Sequence, residues 1–337
     1  MRTTALDLID LDQPLPGQRK FVTCWLARAE GLTFVVDPGP RSTAGYLVRS
    51  LRDLGVERLD WILLTHIHLD HAGGTAELGA AYPEARVVCH ETGRAHLVDP
   101  ARLWEGSRAV LGHIAEVYGE PAPVEARRLA TAGDLTSEAF ARTGIRIVPT
   151  PGHAPHHLSF VHDGTLFVGE AAGTYMALPD GPHGRVPFLR PATPPRFHLG
   201  VALDSLDRLL TLEPAPARMA FAHYGLVEGG VRELLRVARG QLESWVSILA
   251  EELEADRHDR GGTRASETAA ERQAGGKPGA RGIDDRLVAR VHARLLQEDP
   301  HYARWPDLEP DIRERELVFT RQTLEGMLGF LENPPRG

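Results

Sequence analysis

Three histidines and an aspartate stand within six positions directly behind an apolar run. A chain built this way must fold so that the rest of a metal site reaches them. Residues 61–74 read WILLTHIHLDHAGG. The run WILLTH (61–66) predicts a strand, and the small residues Ala72, Gly73 and Gly74 follow His71. His66, His68, Asp70 and His71 therefore lie on a strand-to-helix loop, where a scaffold presents chemistry. His66 and His68, two apart on extended backbone, point the same way. Asp70 and His71 come after the turn and face a neighbouring position. Imidazole with carboxylate suits Zn²⁺, Fe or Mn better than Mg²⁺ or Ca²⁺.

One loop cannot complete such a site, so further ligands must come from downstream. The stretch TPGHAPHH (150–157) offers His153 behind a Pro-Gly turn. TLFVGEAAG (165–173) ends an expected strand in Glu170, and FAHYG (221–225) ends another in His223. Each candidate follows a strand pattern and precedes glycine or a small residue, which predicts a common sheet edge.

The remaining pattern predicts an α/β protein. Apolar runs at 21–27, 32–37, 85–90, 145–150, 158–163, 165–170 and 217–225 read as strands. TAGYLVRSLRDLG (43–55) and residues 75–82 read as helices. After residue 200 the period becomes helical, with Leu203, Leu206, Leu209 and Leu210, then Val231, Leu234, Leu235, Ala238, Leu242, Trp245 and Leu249. The Pro-rich FLRPATPPRFHLG (188–200) reads as a rigid connector or a pocket border. From Glu254 to Gly282 there is no Val, Ile, Leu, Met, Phe, Tyr, Trp or Cys, which predicts a flexible polar linker. Ile283, Leu287, Val288, Val291 and Leu295 mark one amphipathic helix beyond it, and Phe319, Leu324, Met327, Leu328 and Leu331 another. These helices could form a lid, shape a substrate pocket or build a homodimer interface. The expected division is 1–253, a catalytic domain; 254–282, a linker or loop; and 283–337, a helical segment.

The formal net charge of −8 argues against a nucleic-acid partner. No apolar run approaches the length of a membrane span, and MRTTALDLIDLDQPLPGQ has no leader-like apolar core. A cytoplasmic protein with a small-molecule substrate and no membrane partner is the expectation. Cys24 and Cys89 sit in apolar runs and read as inert core thiols.

THIHLDHAGG resembles the HxHxDH signature of the metallo-β-lactamase-fold hydrolases. VVDPGP (35–40) resembles that family's early aspartate-glycine turn, TPGHAPHH its third histidine motif and AHYG its last histidine, in order, over about residues 20–250. The resemblance implies a four-layer αββα sandwich, here with an added helical C-terminal segment. It implies two divalent metal ions, zinc first, with iron or manganese as alternatives. His66, His68 and His153 would hold one ion, and Asp70, His71 and His223 the other. Glu170 stands where the family usually has a bridging aspartate and is one methylene longer. The implied activity is hydrolysis of a small ester, thioester or lactone by a metal-bound hydroxide, with Asp70 orienting the nucleophile and returning a proton. Asp37 is a candidate partner behind a ligating histidine, or a stabiliser of its own turn. His90, Tyr175 and Tyr224 are further candidates near the ligands or substrate. His156 and His157 read as solvated loop, and His162 and His183 as exposed. Three alternatives remain. One is a phosphodiesterase using Arg185, Arg190 and Arg196. Another is a mononuclear-iron dioxygenase resembling the persulfide dioxygenases. The last is a non-enzymatic metal-binding protein.

Overall fold

The computed structural model describes residues 4–131, 133–136, 138–179, 186–263 and 283–333. The first sheet has six strands in chain order: β1 (Ala5–Asp10), β2 (Thr23–Ala29), β3 (Leu32–Val36), β4 (Trp61–Leu63), β5 (Arg86–Val88) and β6 (Leu129–Ala130). β1, β2 and β3 are antiparallel neighbours, whereas β3 to β6 pair in parallel. The parallel pairs need crossovers. α1 (Ala44–Asp53) supplies the one before β4, and α2 (Leu69–Ala72) with α3 (Thr75–Ala81) the one before β5.

The second sheet, entered through the short helix α7 (Glu138–Ala141), contains β7 (Arg146–Pro149), β8 (Leu158–His162), β9 (Thr165–Gly169), β12 (Arg218–Phe221) and β13 (Leu226–Glu228), in the order β13-β12-β9-β8-β7. A separate antiparallel ladder joins β10 (Thr174–Met176) to β11 (Phe188–Arg190).

Side-chain alternation sorts the strands into layers. Trp25, Phe34 and Trp61 of the first sheet meet Phe160 and Phe167 of the second in an inner core. Cys24, Leu26, Val35 and Ile62 point the other way, onto Leu47 and Leu51 of α1 and Leu78 of α3. Leu166, Val168 and Met219 leave the second sheet toward a helical layer. That layer comprises α8 (Leu199–Leu210), α9 (Val231–Thr263), α10 (Asp285–Glu298) and α11 (Pro310–Glu332). Each fully buried phenylalanine of the inner core contributes roughly 1.5–3 kcal/mol. The result is the expected four-layer αββα sandwich with an added C-terminal helical segment.

Four features depart from the sequence reading. α9 continues to Thr263, past the expected linker start at 254, because AEELEADRHDR (250–260) is rich in strong helix formers, although Leu253 is its last large apolar residue. The rest of that segment, 264–282, lies outside the described residues. Between β5 and β6 stand three helices the periodicity does not show: α4 (Glu91–Val98), α5 (Ala101–Leu111) and α6 (His113–Tyr118). The expected connector 188–200 begins as β11. His162, expected to be exposed, is buried edge-on against Phe34, with Nδ1 facing Thr4 Oγ1 at 3.3 Å. His183 and Arg185 lie outside the described residues.

Cys24 and Cys89 are free and buried, and burial raises both thiols, Cys89 to about 12. Among the described residues no helix is long and apolar enough to cross a membrane.

Candidate metal centre

Strand ends deliver every candidate ligand to one edge. β4 ends at Leu63, and Asp37, just past β3, catches the chain beyond it through the Thr65 N–H (2.7 Å to Oδ1). This fixes His66, which is buried, at the sheet edge. α2 then turns His71 inward, while Asp70 keeps 16% of its side-chain exposure. His153 comes from the turn after β7, Glu170 from the end of β9 and His223 from the end of β12.

The ligand atoms form two groups. In the first, His66 Nε2 and His153 Nε2 lie 3.0 and 3.2 Å from His68 Nδ1. Glu170 Oε2 is 3.3 Å from His66 Nε2 and 3.0 Å from His153 Nε2. In the second, Asp70 Oδ2 is 3.5 Å from both His71 Nε2 and His223 Nε2. Glu170 reaches this group too, with Oε1 3.3 Å from His223 Nε2 and Oε2 3.3 Å from His71 Nε2. The seven residues found from sequence thus come together, and Glu170 spans both groups despite its extra methylene.

These groups fit cations. Ligands placed tetrahedrally around an ion at 2.0–2.1 Å stand about 3.3 Å apart, close to the separations seen here. The buried His71 Nε2 has no hydrogen-bond partner and faces two carboxylates. Burial, then the neighbouring imidazoles, hold His66 and His68 well below the usual imidazole range, so both offer lone pairs. Burial opposes ionisation of Glu170, but His153 and His223 hold its carboxyl well below the usual range.

The opposite ring nitrogens are held from behind, which sets each tautomer and ring orientation. His66 Nδ1 donates to Thr65 Oγ1 (3.0 Å), His153 Nδ1 to the Ala192 carbonyl (3.1 Å) and His223 Nδ1 to the Phe21 carbonyl (3.2 Å). Asp37 Oδ2 lies 3.2 Å from His71 Nδ1, so Asp37 does stand behind a candidate ligand.

His157 corrects the reading of 156–157 as solvated loop. It is fully buried, its Nδ1 pairs with Thr150 Oγ1 at 2.8 Å, and its Nε2 accepts the Glu170 N–H at 3.0 Å. It therefore fixes the backbone of the carboxylate that spans both groups. His156 is half-buried, its ring parallel to that of His66 at 6.2 Å. Gly169 has φ +60°, and a Cβ there would collide with His157 Nε2. Tyr175 stacks on Phe221 with centroids 4.9 Å apart, a packing role. His90 Nδ1 accepts the Thr92 N–H and caps α4. Tyr224 is half-buried with φ +77°.

Tyr118, at the end of α6, escaped the sequence reading. It is buried against Leu69, and burial raises its hydroxyl well above the usual range, with Asp70 and Glu170 adding to the effect. Nothing in its local sequence announces this.

A recess opens beside His153 and Glu170. Ala171, Ala172, Gly173, Phe197, Ala202 and Leu242 contribute to its wall, and among the described residues no lysine or arginine lines it. Its cavity volume is about 20 Å³.

Known proteins resemble this chain across the same region. Residues 17–223 match the model of the metallo-beta-lactamase superfamily. A metallo-beta-lactamase fold-containing protein of Sulfurisphaera tokodaii is 32% identical over 222 residues, 64% of this chain and 77% of its own. A hydroxyacylglutathione hydrolase of Aeromonas salmonicida is 30% identical over 188 residues, 56% of each chain. Among solved structures, an archaeal superfamily protein from Sulfolobus tokodaii superposes with TM-score 0.56 at 29% identity, covering 70% of this chain and 85% of that one. A beta-lactamase domain protein from Burkholderia ambifaria gives TM-score 0.53 at 17% identity, a likeness of fold alone, and covers 97% of this chain and 85% of that one.

Proposed function

Because the chain belongs to the metallo-beta-lactamase superfamily, generally hydrolytic metalloenzymes, we propose that this metal-binding hydrolase cleaves a small ester, thioester or lactone with two divalent cations, zinc first. The observation that carries the reading is the Glu170 carboxylate, which faces His66 and His153 on one side and His71 and His223 on the other. His66, His68, His153 and Glu170 would hold one cation, and Asp70, His71 and His223, with Glu170 shared, the other. Such cations supply acidified water and charge stabilisation for a developing oxyanion.

The chain's own groups supply the rest. Asp70 is the more open carboxylate of the pair, so its Oδ atoms can take a proton from an attacking water and return it to a leaving group. The recess beside His153 offers alanine, glycine and apolar walls to an acyl group. Among the described residues no cationic side chain lines the recess, which favours an acyl over a phosphoryl substrate. Relatives named hydroxyacylglutathione hydrolases support the acyl reading, although the first of these is covered over only 56% of its length. A cytoplasmic location and a homodimer belong to the same proposal, as does the division into a catalytic domain, a linker and a helical segment.

Elemental analysis of the purified chain, followed by ester, thioester and lactone panels, tests the reading. Two zinc ions per chain with turnover in one panel is the expected outcome. One iron per chain with oxygen consumption would replace it with the dioxygenase.

A further inference from the structure

The C-terminal helix α11 touches no candidate ligand, yet it grips two segments that do. The first is the strap 190–194. Arg190 pairs with Glu316 of α11, the Pro191 carbonyl accepts from Thr323 Oγ1 (3.1 Å), and Thr193 Oγ1 donates to the Thr323 carbonyl (2.7 Å). A Cβ on Gly326 would collide with the Pro194 carbonyl, so the helix lies directly on the strap. Between the two Thr323 contacts sits Ala192, whose carbonyl accepts from His153 Nδ1.

The second strap is 17–21. Arg315 of α11 donates to the Gly17 and Arg19 carbonyls at 2.6 and 2.9 Å. Its guanidinium lies 4.4 Å from the centroid of the Phe21 ring, and Phe319 stacks on the same ring at 4.9 Å. Phe21 in turn stacks on His223, with centroids 4.1 Å apart and planes 15° off parallel, and accepts from His223 Nδ1 through its carbonyl.

One carboxylate joins the straps. Glu316, fully buried, binds Arg190 through Oε2 and Arg315 through Oε1. Two guanidiniums around one buried carboxylate leave little freedom, because any displaced member loses its only compensating charge. The covered sites are one histidine from each ligand group.

We infer that α11 is part of the metal centre: Thr323 positions His153, Arg315 and Phe319 position His223 through Phe21, and Glu316 ties the two supports together. The inference rests on the two-cation reading above. Supports of this kind typically change metal affinity 10–100-fold when removed. They need not change the metal-free fold.

Cobalt(II) titration of the full chain, read by equilibrium dialysis and visible absorption, tests the inference. The parent should bind two cobalt ions. Thr323→Val should weaken the ion held with His153, and Phe319→Leu the ion held with His223, each by about tenfold or more. Thr323→Ser, which keeps the hydroxyl, should restore parental binding. Leu295→Ala, in α10 and away from both straps, should cost stability without changing either cobalt affinity. Parental affinity for both ions in Thr323→Val and Phe319→Leu would overturn the inference while leaving the hydrolase reading intact. An equal loss in Leu295→Ala would also overturn it, since general loosening would then explain the effect. A parent that binds no cobalt would overturn the two-cation reading itself. If Phe319→Leu fails to fold, the Thr323→Val and Thr323→Ser pair decides the matter, since Val replaces the hydroxyl by a methyl group and Ser keeps the hydroxyl while losing the methyl.

Discussion

Thr65 gives the Asp37 carboxylate two donors, the backbone N–H to Oδ1 at 2.7 Å and the hydroxyl to Oδ2 at 2.6 Å. The same hydroxyl accepts from His66 Nδ1, and the same Oδ2 lies 3.2 Å from His71 Nδ1. One buried carboxylate therefore stands behind a histidine of each ligand group.

Asp37→Asn keeps the size of this group and removes its charge. One amide hydrogen pair must then face Thr65 or His71, both donors toward that side. Metal affinity is expected to fall 10–100-fold, and the metal-free chain to lose about 1–3 kcal/mol from unmatched buried donors. Competition with a chromophoric chelator and urea unfolding measure the two effects separately. Unchanged values in both would remove Asp37 from the centre.

Gly169→Ala forces a β-carbon into the left-handed region and onto His157. The strain costs about 1–3 kcal/mol. His157 must also move, and with it the Glu170 backbone that it holds. The expected outcome is a lower denaturation midpoint together with lost metal, measured on the same preparation. Lost stability with full metal content would show that Glu170 does not depend on His157.

Asp10 gives a pH signature remote from the ligands. Burial, then repulsion from Asp12, raises its carboxyl to about 7, and its Oδ1 is buried without a partner. The folded state therefore binds this proton more tightly than the unfolded chain, where the ordinary value is 3.8. Its unfavourable contribution is absent below about pH 4, grows as pH rises toward 7, and is complete above. Asp10→Asn should stabilise the protein at pH 8 by roughly 1–2 kcal/mol, after allowing for solvent screening of a half-exposed group. It should change nothing at pH 4. Unfolding curves at the two pH values check this, and equal shifts at both would refute it.

Truncation after Leu253 removes α10 and α11. Leu287, Val291, Leu295, Ile312, Leu324 and Met327 are all buried in the helical layer with Leu235, Trp245 and Leu249 of α9. Their loss bares a large apolar face, so the truncated chain should aggregate or fail to give a cooperative melt. A soluble, cooperatively folding, metal-loaded 1–253 fragment would show instead that these helices are an independent appendage.

Much of the site could be read from the sequence because its ligands are metal-binding residue types at the ends of apolar runs. His66, His68, Asp70, His71, His153, Glu170 and His223 each announce themselves this way. The strands of the inner core were equally readable, since alternation such as Leu166, Phe167, Val168 maps onto two buried faces. What stayed hidden depends on partners distant in sequence. His157 looks like any loop histidine until Thr150 and the Glu170 N–H surround it. Arg190 reads as part of a basic cluster with Arg185 and Arg196, yet it is buried because it meets Glu316 across 126 residues. α5 has no fully buried residue; only Leu103, Trp104 and Leu111 pack, half-buried, against Leu69, Ala115 and Tyr118 from other segments. β10 and β11 have three residues each, too short for a period.

The packing of α11 on both straps also bears on synthesis. A chain made from its N-terminus has all seven candidate ligands once residue 223 has been added, but the helix that steadies two of them spans Pro310–Glu332. On the ribosome the nascent protein therefore holds a full set of ligands without their brace. Stable metal loading therefore waits for α11, and a stop anywhere before Pro310 would damage a centre that the missing helix never touches.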